Sequence, residues 1–215
     1  MTPETRLREE ICTLARSLYD RGLTPGSSGN ISALLPDGRL LVTPTGSSFG
    51  RLDPARLTLF EAGRVISGDA PTKEMPLHQA FYDTRPGKTG AVVHLHSSHA
   101  VALSVLPGAD TDNLLPPLTA YGVMRLGKVA LLPYFMPGDP AMGLAIRGLA
   151  GKRSAVVLAH HGPVVAGRNL EAAVNAMEEL EEGAKLALLT RGMAALHLTA
   201  VQIAGLVRKF DVEWE

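Results

Sequence analysis

The chain has 215 residues, of which 46 % are hydrophobic, and its 21 basic side chains balance 21 acidic ones. That is enough chain for one medium domain burying roughly two-thirds of its unfolded surface, and it excludes a collagen-like, disordered or strongly basic nucleic-acid-binding composition. Cys12 is the single cysteine, the segment MTPETRLREE holds no apolar signal core, and no apolar run reaches the length of a membrane helix. These features predict a soluble cytoplasmic protein with neither a nucleic-acid nor a membrane partner.

From Thr5 to Asp20 the residues Leu7, Ile11, Leu14, Ala15 and Leu18 recur at helical spacing, and Gly22 follows as a stop. ISALL and RLLVT flank the turn PDG as a hairpin, bordered by the small-residue stretches PGSSGN and TPTGSS. LTLFEAGRVISG predicts a second hairpin, turning near Glu61 to Gly63. Lys73 to Thr84 predicts a helix with Pro76 in its first turn. TGAVVHLHSS reads as a buried strand, and a short helix follows from His99 to Leu106.

Beyond a Pro-containing connection, YGVMRLGKVALLPYF contains a strand, and Asp139 to Ala150 a helix with Asp139 as its cap. RSAVVLAHHGPVVAG reads as strand, turn and return strand. Glu171 to Met193 is a long amphipathic helix, and HLTAVQIAGLVRKF a final one. His78 and His197 fall on predicted helices and read as structural or exposed. Hairpins outnumber strand–helix–strand units, so the expectation is one α/β domain with several antiparallel strands.

The chemistry concentrates in VVHLHSSH, where three histidines lie within six positions. In an extended strand His94 and His96 point the same way and Leu95 points to the opposite face. Two neutral imidazoles on one face can grip a divalent ion, and His161, after the apolar run AVVLA and before Gly162, is placed to supply a third. The competing reading is a polar strand end, since HxH is common. His160 and His161 cannot share one strand face, and His99 starts the next helix or contacts a ligand from behind. Glu74 has two readings as well: a helix-start charge facing free amides, which spacing alone favours, or the general base or a ligand of a metal site. PGSSGN and TPTGSS offer backbone N–H groups of the kind that cradle phosphate, with Asn30 and Thr45 as candidate contacts. Neither stretch matches a P-loop or a dinucleotide fingerprint, and each alone also reads as a plain turn.

Taken in order, SSGNIS, TPTGSS, PTKEMPLHQAFY, VVHLHSSHAVALS and LAHHGPVVAG resemble the class II aldolase/adducin head family, and the resemblance runs along nearly the whole chain. It implies a single α/β/α domain over residues 1–215 with a largely antiparallel central sheet. It implies His94, His96 and His161 as ligands of Zn2+ or a related ion such as Mn2+ or Co2+. It implies Glu74 as catalytic acid/base, and Gly29 and Asn30 with Thr45 and Gly46 as phosphate-binding loops. It further implies a homotetramer with active sites between subunits. Tyr121 matches a tyrosine acid that reaches a neighbouring subunit's site; without the resemblance it is a core or interface aromatic.

Where the family's fuculose-phosphate aldolases carry two serines before the acidic residue, this chain carries Thr72 and Lys73. That change, with YGVMRLGKVALLPYFMPGDP, resembles the branch of the family that decarboxylates a phosphorylated four-carbon 3-oxo acid to dihydroxyacetone phosphate. Lys73 would face the phosphate or the carboxylate of such a substrate. The alternatives are an aldolase acting on a sugar phosphate and a non-catalytic adducin-like binding module; the intact His94, His96, His161 and Glu74 set speaks against the module.

Overall fold

A computed structural model describes residues 1–214, so Glu215, the last residue of the expected domain, lies outside the described residues. Eight strands form one sheet: β1 (Asn30–Leu34), β2 (Leu40–Val42), β3 (Thr58–Glu61), β4 (Arg64–Ser67), β5 (Ala91–His94), β6 (Val129–Leu132), β7 (Ala155–Leu158) and β8 (Gly162–Gly167). Their spatial order is β4-β3-β2-β1-β5-β8-β7-β6. Every pairing is antiparallel except β6 with β7.

Helices cover both faces, giving the α/β/α domain. On one face lie α1 (Pro3–Asp20) and the long α6 (Leu170–Leu189), together with α3 (Ser98–Ser104) and α4 (Ala120–Leu126). On the other lie α2 (Met75–Thr84) and α5 (Ala141–Gly148). The central strands β5 and β7 are buried on both sides, which is why AVVH and AVVL are continuous apolar runs rather than alternating ones. The pleat still divides them. Val93 and Val157 join the core under α6, and Val92, Val156 and Val164 join the core under α2 and α5. His94 therefore falls on the α2 face.

Both expected hairpins form, as β1–β2 and β3–β4. In YGVMRLGKVALLPYF the strand is confined to Val129–Leu132, and the first half is α4. Thr119 decides this by accepting a hydrogen bond from the Gly122 amide and so starting a helix. The ladder of β5 ends at His94, earlier than TGAVVHLHSS suggested, although Leu95 still donates its N–H to the Pro163 carbonyl at 3.2 Å. His197 precedes the last helix, α7 (Ala200–Phe210), whose start is fixed by a capping box of Thr199 and Gln202.

Gly162 opens β8 hard against the end of β5: a Cβ there would stand 2.1 Å from the Leu95 carbonyl oxygen. The backbone must give way for any side chain. Gly162→Ala is expected to destabilise the domain by at least about 1–3 kcal/mol, read from the urea midpoint. An unchanged midpoint would mean that the two strand ends are not locked together.

Candidate metal centre

Three segments meet where β5 ends, β8 begins and α2 begins. The β1–β5 register sets Asn30 opposite His94. Past His94, Leu95 turns into the core under α6, and His96 returns to the side of His94. The chain then enters α3, whose first amides are held from α6: the Glu181 carboxylate accepts from the backbone N–H of His99 at 2.9 Å and of Ala100 at 3.0 Å. His99 Nδ1 lies 2.8 Å from the same carboxylate, so His99 faces α6. His161 arrives from the β7–β8 turn, where His160 sits at φ 59° in the left-handed region. That reversal explains why the adjacent histidines part, with His160 exposed and His161 buried.

The donor atoms converge. His94 Nε2 lies 3.3 Å from His161 Nε2, which lies 3.1 Å from His96 Nε2. The Glu74 carboxylate completes the group, with Oε2 at 3.4 Å from His94 Nε2 and Oε1 at 3.2 Å from His161 Nε2. One ligand atom from each residue falls within 4.8 Å of all the others. Ligands about 2.0–2.1 Å from a tetrahedral zinc are separated by about 3.3 Å, so these distances match three nitrogens and one oxygen around one ion. His94 has its tautomer set for the task. Its Nδ1 lies 2.8 Å from the Pro163 carbonyl, an acceptor only, so Nδ1 carries the proton and Nε2 offers its lone pair. The residues fit a divalent metal, and the four form a divalent-metal-binding cluster.

The electrostatics agree. Burial lowers the pKa of His94, and it takes His96 to about 4, leaving both imidazoles neutral and able to act as ligands at neutral pH. Burial alone would raise Glu74; the hydrogen bond from His161, the nearby His94 and the Asn30 amide outweigh it and hold the carboxyl well below the usual carboxylate range. Glu74 precedes α2 without capping it by its side chain, so the helix-start reading favoured by spacing gives way to a carboxylate turned into the cluster.

The small-residue loops reach the same end of the sheet. Gly29 sits against the His94 carbonyl, 2.9 Å from where a Cβ would be. The Thr45 amide bonds to the Ala70 carbonyl at 2.9 Å and Pro44 bridges Pro71, which sets exposed Thr45 and Gly46 beside Thr72 and Lys73. Thr72 Oγ1 accepts from the Glu74 amide at 3.2 Å, and Lys73 is exposed beside Gly138. The Asn30 side-chain amide is buried and spans Glu74 and His78. Tyr121 stands outside the cluster, 58 % exposed on α4 with Arg125 over its ring. His78, read as structural from the sequence, is buried beside the site. Its spacing of four from Glu74 is the signal that sets the two on one side of a helix turn. Among the described residues, no helix is long and apolar enough to cross a membrane.

An α/β/α domain carrying a three-histidine, one-glutamate centre at a sheet end defines a class of single-domain metal proteins. The chain belongs to the class II aldolase and adducin N-terminal domain family, whose model matches residues 9–188. It is 50 % identical to the 3-oxo-tetronate 4-phosphate decarboxylase of Escherichia coli strain K12 over 204 residues, 94 % of this chain and 96 % of that one. The crystal structure of Escherichia coli YgbL, described as a candidate aldolase/epimerase/decarboxylase, superposes with a TM-score of 0.92 at 48 % identity, covering 95 % of this chain and 99 % of that one. The L-fuculose phosphate aldolase of Escherichia coli strain K12 is more distant, at 30 % identity over 188 residues, 86 % of this chain and 84 % of that one.

Two outcomes follow for the metal-free and metal-loaded protein. His94→Ala is expected to weaken Zn2+ binding beyond the about 10–100-fold that losing a ligand's hydrogen-bond partner costs; calorimetric titration measures it, and tight binding would remove His94 from the ligand set. Burial also takes the pKa of His78 down to about 3. As the pH falls below the ordinary histidine value, the unfolded chain takes up a proton that folded His78 refuses, so stability is full above about pH 6.5 and declines toward acid. Glu74, held low in the folded state, adds to the loss below its ordinary value. The urea midpoint of the metal-free protein should fall between pH 7.5 and 5, and fall less in His78→Gln; equal slopes would refute the assignment.

Proposed function

We propose that this chain is a divalent-metal-dependent carbon–carbon lyase that decarboxylates 3-oxo-tetronate 4-phosphate to dihydroxyacetone phosphate and CO2. The observation that carries the reading is half identity, along nearly the full length of both chains, to an Escherichia coli enzyme of that name, with the four-residue cluster intact. Thr72 and Lys73 before Glu74 favour it over an aldolase, because a lysine beside the centre suits a substrate that carries both a carboxylate and a phosphate.

In this proposal His94, His96 and His161 hold the ion, with Zn2+ the first choice and Mn2+ or Co2+ admitted by the same donors. When bound, the ion supplies Lewis acidity toward the substrate's ketone oxygen. Gly29, Asn30, Thr45, Gly46, Thr72 and Lys73 form the substrate side of the site. The loop amides and Lys73 orient the phosphate and carboxylate, so that the carbon–carbon bond to be broken is held in register with the ketone. The carboxylate is β to that ketone. Its loss as CO2 leaves an enediolate, and one proton delivered to carbon completes dihydroxyacetone phosphate. Glu74, ionised at rest, takes that proton from water and passes it to the carbon. Tyr121, exposed on α4, serves a neighbouring subunit's site in a homotetramer of cytoplasmic subunits, and residues 1–215 act as one domain.

The deciding experiment incubates the zinc-loaded protein with synthetic 3-oxo-tetronate 4-phosphate and measures CO2 and dihydroxyacetone phosphate. Both products are expected in equal amounts. Absence of both, with aldehyde release from fuculose 1-phosphate, would replace the reading with an aldolase. Glu74→Gln should still bind Zn2+ through the three histidines but slow turnover by about 10²–10⁴-fold. An unchanged rate would take Glu74 out of proton transfer.

A further inference from the structure

Behind Glu74 runs a continuous line of polar groups drawn from two segments of chain, β1 and α2. The Asn30 amide nitrogen donates to Glu74 Oε2 at 2.7 Å. Asn30 Oδ1 lies 2.5 Å from His78 Nε2. His78 Nδ1 lies 2.8 Å from Ser32 Oγ, and Ser32 Oγ lies 2.9 Å from the Tyr82 hydroxyl. Ser32 and His78 are wholly buried, and Asn30 is 5 % exposed. The fold assembles the line simply: Asn30 and Ser32 are alternate residues on one face of β1, while His78 and Tyr82 are four apart on α2.

The line has only one consistent direction. Glu74 is ionised and accepts only, so Asn30 must turn its NH2 toward it; the flipped amide would set an oxygen against a carboxylate in a buried site. Asn30 Oδ1 then requires a donor, which makes His78 the Nε2–H tautomer. His78 Nδ1 is left as an acceptor and takes the Ser32 hydroxyl proton. Ser32 Oγ in turn accepts from Tyr82, whose phenol burial holds protonated. Run this way, each contact along the line joins a donor to an acceptor. Run the other way, two acceptors collide at Glu74.

We propose that His78 is a positioning residue that, through Asn30, ties down Oε2 of Glu74 and leaves Oε1 as the oxygen that handles the proton. The inference rests on the decarboxylase reading for the proton's use, but the hydrogen-bond direction stands independently of it. A side chain that merely filled space would not need a fixed tautomer. Neither would it need a residue four positions along the helix to complete the line.

The test begins with the wild-type, zinc-loaded protein. Long-range 1H–15N spectra should show His78 as the Nε2–H tautomer, and an Nδ1–H tautomer would overturn the proposal. His78→Phe keeps the ring and removes both nitrogens. It is expected to lower kcat by about tenfold or more with little change in KM or Zn2+ affinity. His78→Gln, whose amide N–H reaches toward the Nε2 position, should recover most of that loss. In a Glu74→Gln background His78→Phe should cost nothing further, because the two changes disable one function. Equal losses in Phe and Gln variants, or full additivity with Glu74→Gln, would leave His78 a packing residue and overturn the proposal. Failure of the wild type to turn over the four-carbon acid would instead sink the decarboxylase reading, while the tautomer measurement would still decide the direction of the line.

Discussion

A carboxylate buried among three imidazoles is the feature on which the rest of the molecule depends. Taking Glu74 out of water is costly, and neutral histidines alone repay little of that cost. The fold answers with donors on one side and a cation site on the other. Asn30 supplies a hydrogen bond at 2.7 Å, and the convergent Nε2 atoms of His94, His96 and His161 define where positive charge is most stabilised. An ion bound there adds its binding free energy to the stability of the fold.

The sheet exists in this form because it has to carry that cluster. Antiparallel pairing brings β1, β5 and β8 side by side with their ends in register, so residues 64 positions apart in the chain, such as Asn30 and His94, become neighbours. Helices on both faces make the strand ends rigid. Gly162 lets β8 begin within contact of Leu95, and Glu181 fixes the start of α3 just past His96. Each metal-ligating side chain is thus set by a backbone fixed on both sides, as a site needs if its geometry is to be ready before the ion arrives.

Much of this was legible in the residues. Alternation in VVHLHSS correctly separated His94 and His96 from Leu95, although the ladder stops at His94, because alternation reports side-chain direction and not hydrogen bonding. Helical spacing located α1, α2, α5 and α6 to within a few residues. The strand expected within YGVMRLGKVALLPYF is there as β6, but the helix in its first half went unread, because valine and methionine suit strand and helix alike and the Thr119 cap tips the balance. Glu74 was ambiguous for a similar reason: an acidic residue at a helix start has a local explanation that hides a distant one. Asn30 looked like a loop residue because nothing local announces that His78 lies 2.5 Å from its side chain.

The sequence by itself determined the ligand types, the amphipathic helices, the two hairpins and the family to which the chain belongs, since these follow from local spacing and from ordered motifs. Only the tertiary structure decided that Glu74 faces inward, that His160 and His161 part company, and that Asn30, Ser32, His78 and Tyr82 form one line behind the centre. Those outcomes depend on strand register and on which helix covers which face. Both are settled by burying apolar surface across the whole domain, not by any residue's neighbours in sequence.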